Sequence, residues 1–212
     1  MKEKKTYAHI DIGPLTMLFR FKAVIIFTNW LFQGLLYADK TERLFKISLD
    51  LLTTVMIFLI LTNFSIFPRI VIAFVISHTF YWIFNGQLFA LAKNFGIVHN
   101  DPKRIIDYAY GIKGRASKEK SIDCVLVYGS LVREEIKDTS DLDLRIIRKP
   151  GNFNGMRACA FGMTERSRAL FNRFPLDMFV IDSTSHLKKM RFDEKPRILY
   201  DPNNILLDFN KR

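Results

Sequence analysis

Cysteine is nearly absent: Cys124 and Cys159 are the two in 212 residues. Two thiols exclude a disulfide scaffold, and the lack of any CxxC pair or Cys/His cluster excludes a thiolate zinc site. Both are expected as small core residues. His9, His99 and His186 show no metal-ligand spacing. No internal repeat or low-complexity tract is visible. No RNP-type aromatic pair or zinc finger is present, so nucleic acid is not an expected partner despite a net charge of +11.

Charge is missing from two long stretches. Residues 51–68 are 18 positions without an ionised side chain, and 70–92 are 23 more, with Asp50 and Arg69 as punctuation. As helices these reach about 27 and 35 Å against a hydrocarbon core of roughly 30 Å. Neither carries the polar stripe of a soluble helix, so each is expected to span a bilayer. With Pro68 and Arg69 alone between them, the expected form is a tight transmembrane hairpin.

Residues 1–46 hold eight Lys or Arg against four acids, and 93–120 hold seven against three. The positive-inside bias then puts both termini and the downstream domain in the cytoplasm. A third apolar run, 23–38, is short for a span and is expected as an interfacial helix. The apolar run begins too late, after Glu3, His9 and Asp11, for a cleaved signal peptide. Membrane lipid is an expected partner, since a basic surface gains about 1 kcal/mol per Lys or Arg near an anionic leaflet. His78 and Asn85 share one face of the second run, where polar residues mark helix packing or a partner contact.

Four segments follow. Residues 1–46 form a cytoplasmic, interfacial N-terminal segment; 47–92 form the two transmembrane helices; 93–120 form a basic juxtamembrane connector, with a short helix at 102–110; and 121–212 form a small α/β (α+β) domain. In that domain 124–128 is a valine-rich buried strand stopping at Gly129, and 141–147 alternates strictly. A helix is expected at 154–174 with its arginines on a solvated face, and strands at 176–181 and 197–200 complete a mixed sheet of three or four strands.

Within the alternating strand, Asp141 and Asp143 point to one face, and a neighbouring strand would bring Asp177 beside them. Three carboxylates at close range repel one another unless a divalent cation intervenes. An all-oxygen set without His or Cys favours Mg²⁺ or Mn²⁺. Gly129 lets the backbone turn sharply, and Ser130 then opens a short helical turn whose N–H groups and hydroxyl can hold phosphate. A nucleoside triphosphate between turn and metal would satisfy both.

Gly129-Ser130, ten residues, Asp141-Leu142-Asp143-Leu144, a later Asp177 and a closing "RILYDP" run, residues 197–202, together resemble the DNA polymerase β-like nucleotidyltransferase superfamily. The likeness is to its minimal nucleotidyltransferase-type domains and covers about residues 121–202. It implies that Asp141, Asp143 and Asp177 hold the metal and carry catalysis, with Asp177 as general base, and that Gly129, Ser130 and Arg133 bind the triphosphate. Arg145 stands near enough to neutralise phosphate. Where minimal members usually have glycine this chain has Glu134.

The expected function is therefore a membrane-anchored, Mg²⁺-dependent nucleotidyltransferase. It would move an NMP from an NTP to a hydroxyl acceptor, a membrane-associated glycan, lipid or protein. The alternative is a catalytically inactive nucleotide-binding sensor or interaction module at the membrane.

Overall fold

The computed structural model describes residues 21–189 and 196–206; the remaining segments, including His9 and most of the basic N-terminal run, lie outside the described residues. Four helices come first: α1 (Lys22–Phe32), α2 (Lys40–Ile60), α3 (Ile66–Phe84) and α4 (Gln87–Asn94). They are followed by α5 (Pro102–Ala116), β1 (Ile122–Tyr128), β2 (Leu142–Arg148), α6 (Asn152–Phe171), β3 (Leu176–Ile181) and β4 (Arg197–Tyr200).

The strands form a four-stranded mixed sheet in the order β3-β2-β1-β4. β1 runs antiparallel to both β2 and β4, and β2 runs parallel to β3 across α6. Alternation sends Leu142, Leu144, Ile146, Met178 and Val180 to the face covered by α5 and α6, where they pack with Ile105, Ile112 and Ala158. Cys124, Leu126, Ile147 and Ile181 pack on the opposite face with Leu187 and Leu206. Cys124 and Cys159 are both free and buried, as their scarcity suggested.

Residues 93–120 do more than connect. Asp101 caps α5 by accepting from the Lys103 N–H at 3.0 Å, and Pro102 opens the helix where its missing N–H has no intrahelical role. Ile105, Ala109, Ile112 and Ala116 recur at three- and four-residue spacing and are buried against the sheet. This amphipathic face makes α5 a layer of the domain and extends it well beyond the expected 102–110.

The apolar hairpin differs from expectation in a definite way. The chain turns at Leu61–Ser65, not at Pro68-Arg69. Pro68 falls in the first turn of α3, where a backbone N–H has no helical partner, so proline there starts a helix instead of ending one. Arg69 folds back across the turn, its Nε donating to the Phe58 carbonyl at 2.5 Å and its guanidinium 4.0 Å from the Phe58 ring centroid. The uncharged run 51–68 is thus divided between two helices. Asn85 and Gly86, at φ 77°, likewise end α3 before the second run does, and α4 takes up the remainder.

Among the described residues one helix, α3, is both long and apolar enough to cross a membrane. α2 fails that test because Lys40, Glu42, Arg43, Lys46 and Asp50 occupy its first half. Apolar side chains around the turn are open to the surroundings: Leu59, Ile60, Ile66 and Phe67 are all more than half exposed. α1 is short and apolar, and it is tied to α3 by indole hydrogen bonds, Trp30 Nε1 to Thr79 Oγ1 at 3.0 Å and Asn29 Oδ1 from Trp82 Nε1 at 2.7 Å.

A sheet edge joins the two halves of the molecule. β3 is an edge strand, and unpaired edge groups invite aggregation unless something covers them. Here the start of α2 does so: Glu42 Oε2 accepts from the Val180 N–H at 2.7 Å, and Asp39 Oδ2 accepts from the Asp182 N–H at 2.8 Å. Arg166 of α6 donates to the Met178 carbonyl and to Glu42. Its side chain is 4 % exposed and that of Glu42 is 1 % exposed, so Arg166 does not join the solvated face expected for the arginines of this helix. A carboxylate buried against backbone N–H groups needs a buried countercharge, and Arg166 is the one α6 can supply there.

Candidate functional site

The parallel register of β2 and β3 sets Asp143 directly beside Asp177, and Tyr128 faces Asp143 across the antiparallel pair. Both aspartates are on the face away from α5 and α6, because Leu142 and Leu144 take the core face. Asp141 lies just before β2. The carboxyl of Asp143 is pushed well above the ordinary carboxylate range, first by desolvation and then by the charges of Asp141 and Asp177; Arg145 and Lys93 act in the opposite sense. All three predicted aspartates therefore stand within one electrostatic neighbourhood.

Gly129 shows why this turn needs glycine. Its φ of 75° lies in the left-handed region, and a Cβ there would collide with Asp143 Oδ2. The turn and the central aspartate consequently occupy one another's space. Gly129–Leu131 is a single 3₁₀ turn, closed by the Val132 N–H donating to the Gly129 carbonyl at 3.1 Å. Ser130 Oγ, at the start of that turn, is shielded from solvent and has no hydrogen-bond partner among the described residues. A buried hydroxyl left unpaired is costly, so a water or a polar ligand group is expected to meet it.

The cations near the carboxylates belong to the protein. Lys93, from α4, forms an ion pair with Asp141. Arg145 Nη2 lies 3.4 Å from Asp177 Oδ2, and its Nη1 donates to the Leu144 carbonyl at 2.7 Å. Arg133, expected on the phosphates, pairs with Glu135 at 3.3 Å on the exposed surface. Among the described residues no group of three or more His, Cys, Asp or Glu side chains is arranged to hold a metal ion. The chemistry of the set still fits a hard cation. Its donors are oxygens, the central one has its ionised form disfavoured by its surroundings, and the turn packed against it carries an unpaired hydroxyl.

Glu134 has φ 58°, a left-handed backbone that favours glycine. The departure from the minimal pattern is thus one of side chain; the backbone there has the shape a glycine would accept most readily. Lys93 was not anticipated: it is the first charge after a long apolar run, and nothing in its neighbours points toward an aspartate 48 positions away. Glu42 and Arg166 were also missed, although Glu42 and Lys46 at helical i,i+4 spacing beside an apolar run carry a faint signal.

Two cavities lie apart from the carboxylates. One, about 420 Å³, is bounded by α5, β4 and the segment after Ser130, including Tyr110, Glu134 and Arg197. The other, about 220 Å³, lies among the N-terminal helices. Comparison with family models, with curated proteins and with solved structures finds no match for this chain.

Proposed function

We propose that this protein is a membrane-associated, Mg²⁺-dependent nucleotidyltransferase of the DNA polymerase β-like type, which transfers an NMP from an NTP to a hydroxyl acceptor and releases pyrophosphate. The observation carrying this reading is the contact between Gly129 and Asp143, with Asp177 in register beside them and the unpaired Ser130 hydroxyl on the same turn. Asp141, Asp143 and Asp177 would hold the divalent ion, which neutralises phosphate charge when bound. The Gly129-Ser130 turn holds the β- and γ-phosphates. Arg133 and Arg145 supply positive charge at the approach.

In the transfer step the acceptor oxygen attacks the α-phosphorus, its proton passes to Asp177, and the bond to the pyrophosphate oxygen breaks. Arg145 holds Asp177 in place for that role. The apolar hairpin of α2 and α3 enters the bilayer from the domain side with its turn at the far end, so that both termini and the sheet domain stay in the cytoplasm. Support comes from the exposed apolar residues at the turn and the charge collected at the opposite end of α2.

One observation favours a second reading, a nucleotide sensor without turnover. Lys93 and Arg145 already occupy two of the three carboxylates, as built-in cations would in a site that no longer needs metal. Pyrophosphate release from the protein in nanodiscs, with Mg²⁺, each of the four NTPs and a membrane extract, separates the two. Release abolished by Asp141→Ala/Asp143→Ala establishes transfer; Mg²⁺-dependent NTP binding without release establishes the sensor.

A further inference from the structure

α6 ends beside the apolar helix α3 with an aromatic side chain left uncovered. Phe171 is 76 % exposed, and its ring meets that of Phe84 edge-on, with centroids 6.1 Å apart. Phe84 in turn packs on Phe80 at 4.4 Å between centroids, and Phe80 is 61 % exposed. Ser167 Oγ donates to the Phe84 carbonyl at 3.3 Å, so the two helix ends are joined through the backbone as well as through rings. A single exposed phenylalanine is ordinary on a protein surface. An aromatic row that runs from α3 onto α6 is a patch.

Helix length sets the level of this patch. Ile66–Phe84 is 19 residues, about 28 Å of rise, against a hydrocarbon core of roughly 30 Å. With the turn before Ile66 on the far side of the bilayer, Phe84 reaches the cytoplasmic boundary and Phe171 stands at the same level.

Positive charge surrounds the ring. Arg168, with a side chain 42 % exposed, precedes Phe171 by three residues, and the exposed Arg173 follows it by two. Arg104 of α5, also exposed, donates from Nη2 to the Asn172 carbonyl at 2.7 Å and so stands at the helix end. Against these three are Asp107, exposed on α5, and Glu165, a buried carboxylate that Arg115 and Arg168 share. The balance is cationic. An apolar ring among guanidinium groups suits an anionic leaflet, the ring entering the acyl boundary while the long arginine side chains keep their charges at the phosphates.

We infer that the C-terminal end of α6, together with Arg104 of α5, is a second membrane contact of this protein and seats on anionic phospholipid headgroups. This rests on the membrane reading of α2 and α3 above. The segment leaving the patch is fixed, since Phe174 is buried and stacks on Tyr108 at 4.7 Å. Asp177 follows Phe171 by six residues, so even a fully extended chain keeps it within about 20 Å of the docked ring. Docking would therefore fix the tilt of the sheet and hold its carboxylates close to the leaflet.

The test uses the full chain in phosphatidylcholine nanodiscs, with a fluorophore on Asn172→Cys; Cys124 and Cys159 are buried and stay unlabelled. Quenching by a phosphatidylglycerol carrying a nitroxide near its headgroup is compared with quenching by the matching phosphatidylcholine. The anionic quencher should be preferred. Arg104→Gln/Arg173→Gln, which leaves the Arg168 to Glu165 pair intact, should cut that preference about fivefold for each charge removed. A fluorophore on Asn203→Cys, beyond the edge strand β4, should stay dark to both quenchers. Equal quenching by the two lipids at position 172, or a preference that the double variant keeps, would overturn the surface. A fluorophore on Phe67→Cys, beside the hairpin turn, tests the parent reading. Quenching at 67 without quenching at 172 keeps the hairpin and gives the patch to a protein partner, against the inference. Anionic preference at 172 without quenching at 67 keeps the surface and removes the hairpin, and quenching at neither removes both.

Discussion

Two clusters of buried charge lie on neighbouring parts of β3, and they are finished differently. At the strand edge, Glu42 faces Arg166 and Lys46, accepts from a backbone N–H, and leaves no carboxylate oxygen idle. At the strand's start, Asp177 and Asp141 disfavour the charge of the Asp143 carboxyl between them, and the Gly129-Ser130 turn against Asp143 carries a hydroxyl with no partner among the described residues. In the first cluster both carboxylate oxygens are taken by groups of the protein itself. In the second, Lys93 and Arg145 answer Asp141 and Asp177 while the Asp143 carboxyl keeps its ionised form disfavoured, and that difference is what the proposed site rests on.

The largest effect should come from breaking the finished cluster. Glu42→Ala leaves Arg166 buried without its countercharge and frees the edge of β3, and unfolding in denaturant should show a loss of about 3–5 kcal/mol. Survival of full stability would mean the two clusters are not different in kind. Gly129→Ala comes next. The left-handed backbone alone costs roughly 1–2 kcal/mol, and the added methyl drives Asp143 out of position. Mg²⁺-dependent NTP binding, followed by calorimetry, should disappear while the fold persists.

Asp143→Asn sharpens the comparison by a change of sign. A carboxyl whose folded pKa is raised stabilises the fold below its unfolded pKa, and that contribution is lost as pH climbs through the folded value. Without divalent ion, Asp143 therefore adds a downward slope to the wild-type melting temperature from acid to neutral pH, opposite in sign to that of Glu42 and Asp182, whose carboxyls are held below the ordinary range. The amide should flatten that slope and melt a few degrees higher at neutral pH, while losing transfer activity. The same slope in both proteins would exclude Asp143 as its source.

Glu134→Gly is the smallest change. Relief of a left-handed glutamate is partly cancelled by the extra freedom of glycine in the unfolded chain, so stability should rise by no more than about 1 kcal/mol. An accompanying tighter NTP affinity in calorimetry would show that the carboxylate, and not the backbone, opposes the phosphates.

Much of the sheet was legible because its signals are local. Leu176–Ile181 and Arg197–Tyr200 run between the residues that composition suggested, and the alternation before Ile147 put the aspartates on the right face. Pro68 misled because the same residue that stops a helix also starts one, and only the neighbouring turn tells which. α5 was read too short because its burial depends on a sheet that comes later in the chain. Arg166 sits among Glu165, Ser167 and Arg168, surroundings that suit a surface helix. Its burial is decided by Glu42, 124 residues earlier.

By itself the sequence determined the mixed α/β character, the apolar N-terminal half, and the identity of the residues that meet at the Gly-Ser turn. These follow from periodicity, run length and spacing, all of which act over a few residues. The tertiary structure alone decided that Lys93 pairs with Asp141, that α2 closes the edge of β3, and that Lys46 and Arg145 both come within reach of the Phe179 ring. Those outcomes join segments far apart in the chain, where pairing depends on which charges can be buried together and no local pattern records the partner.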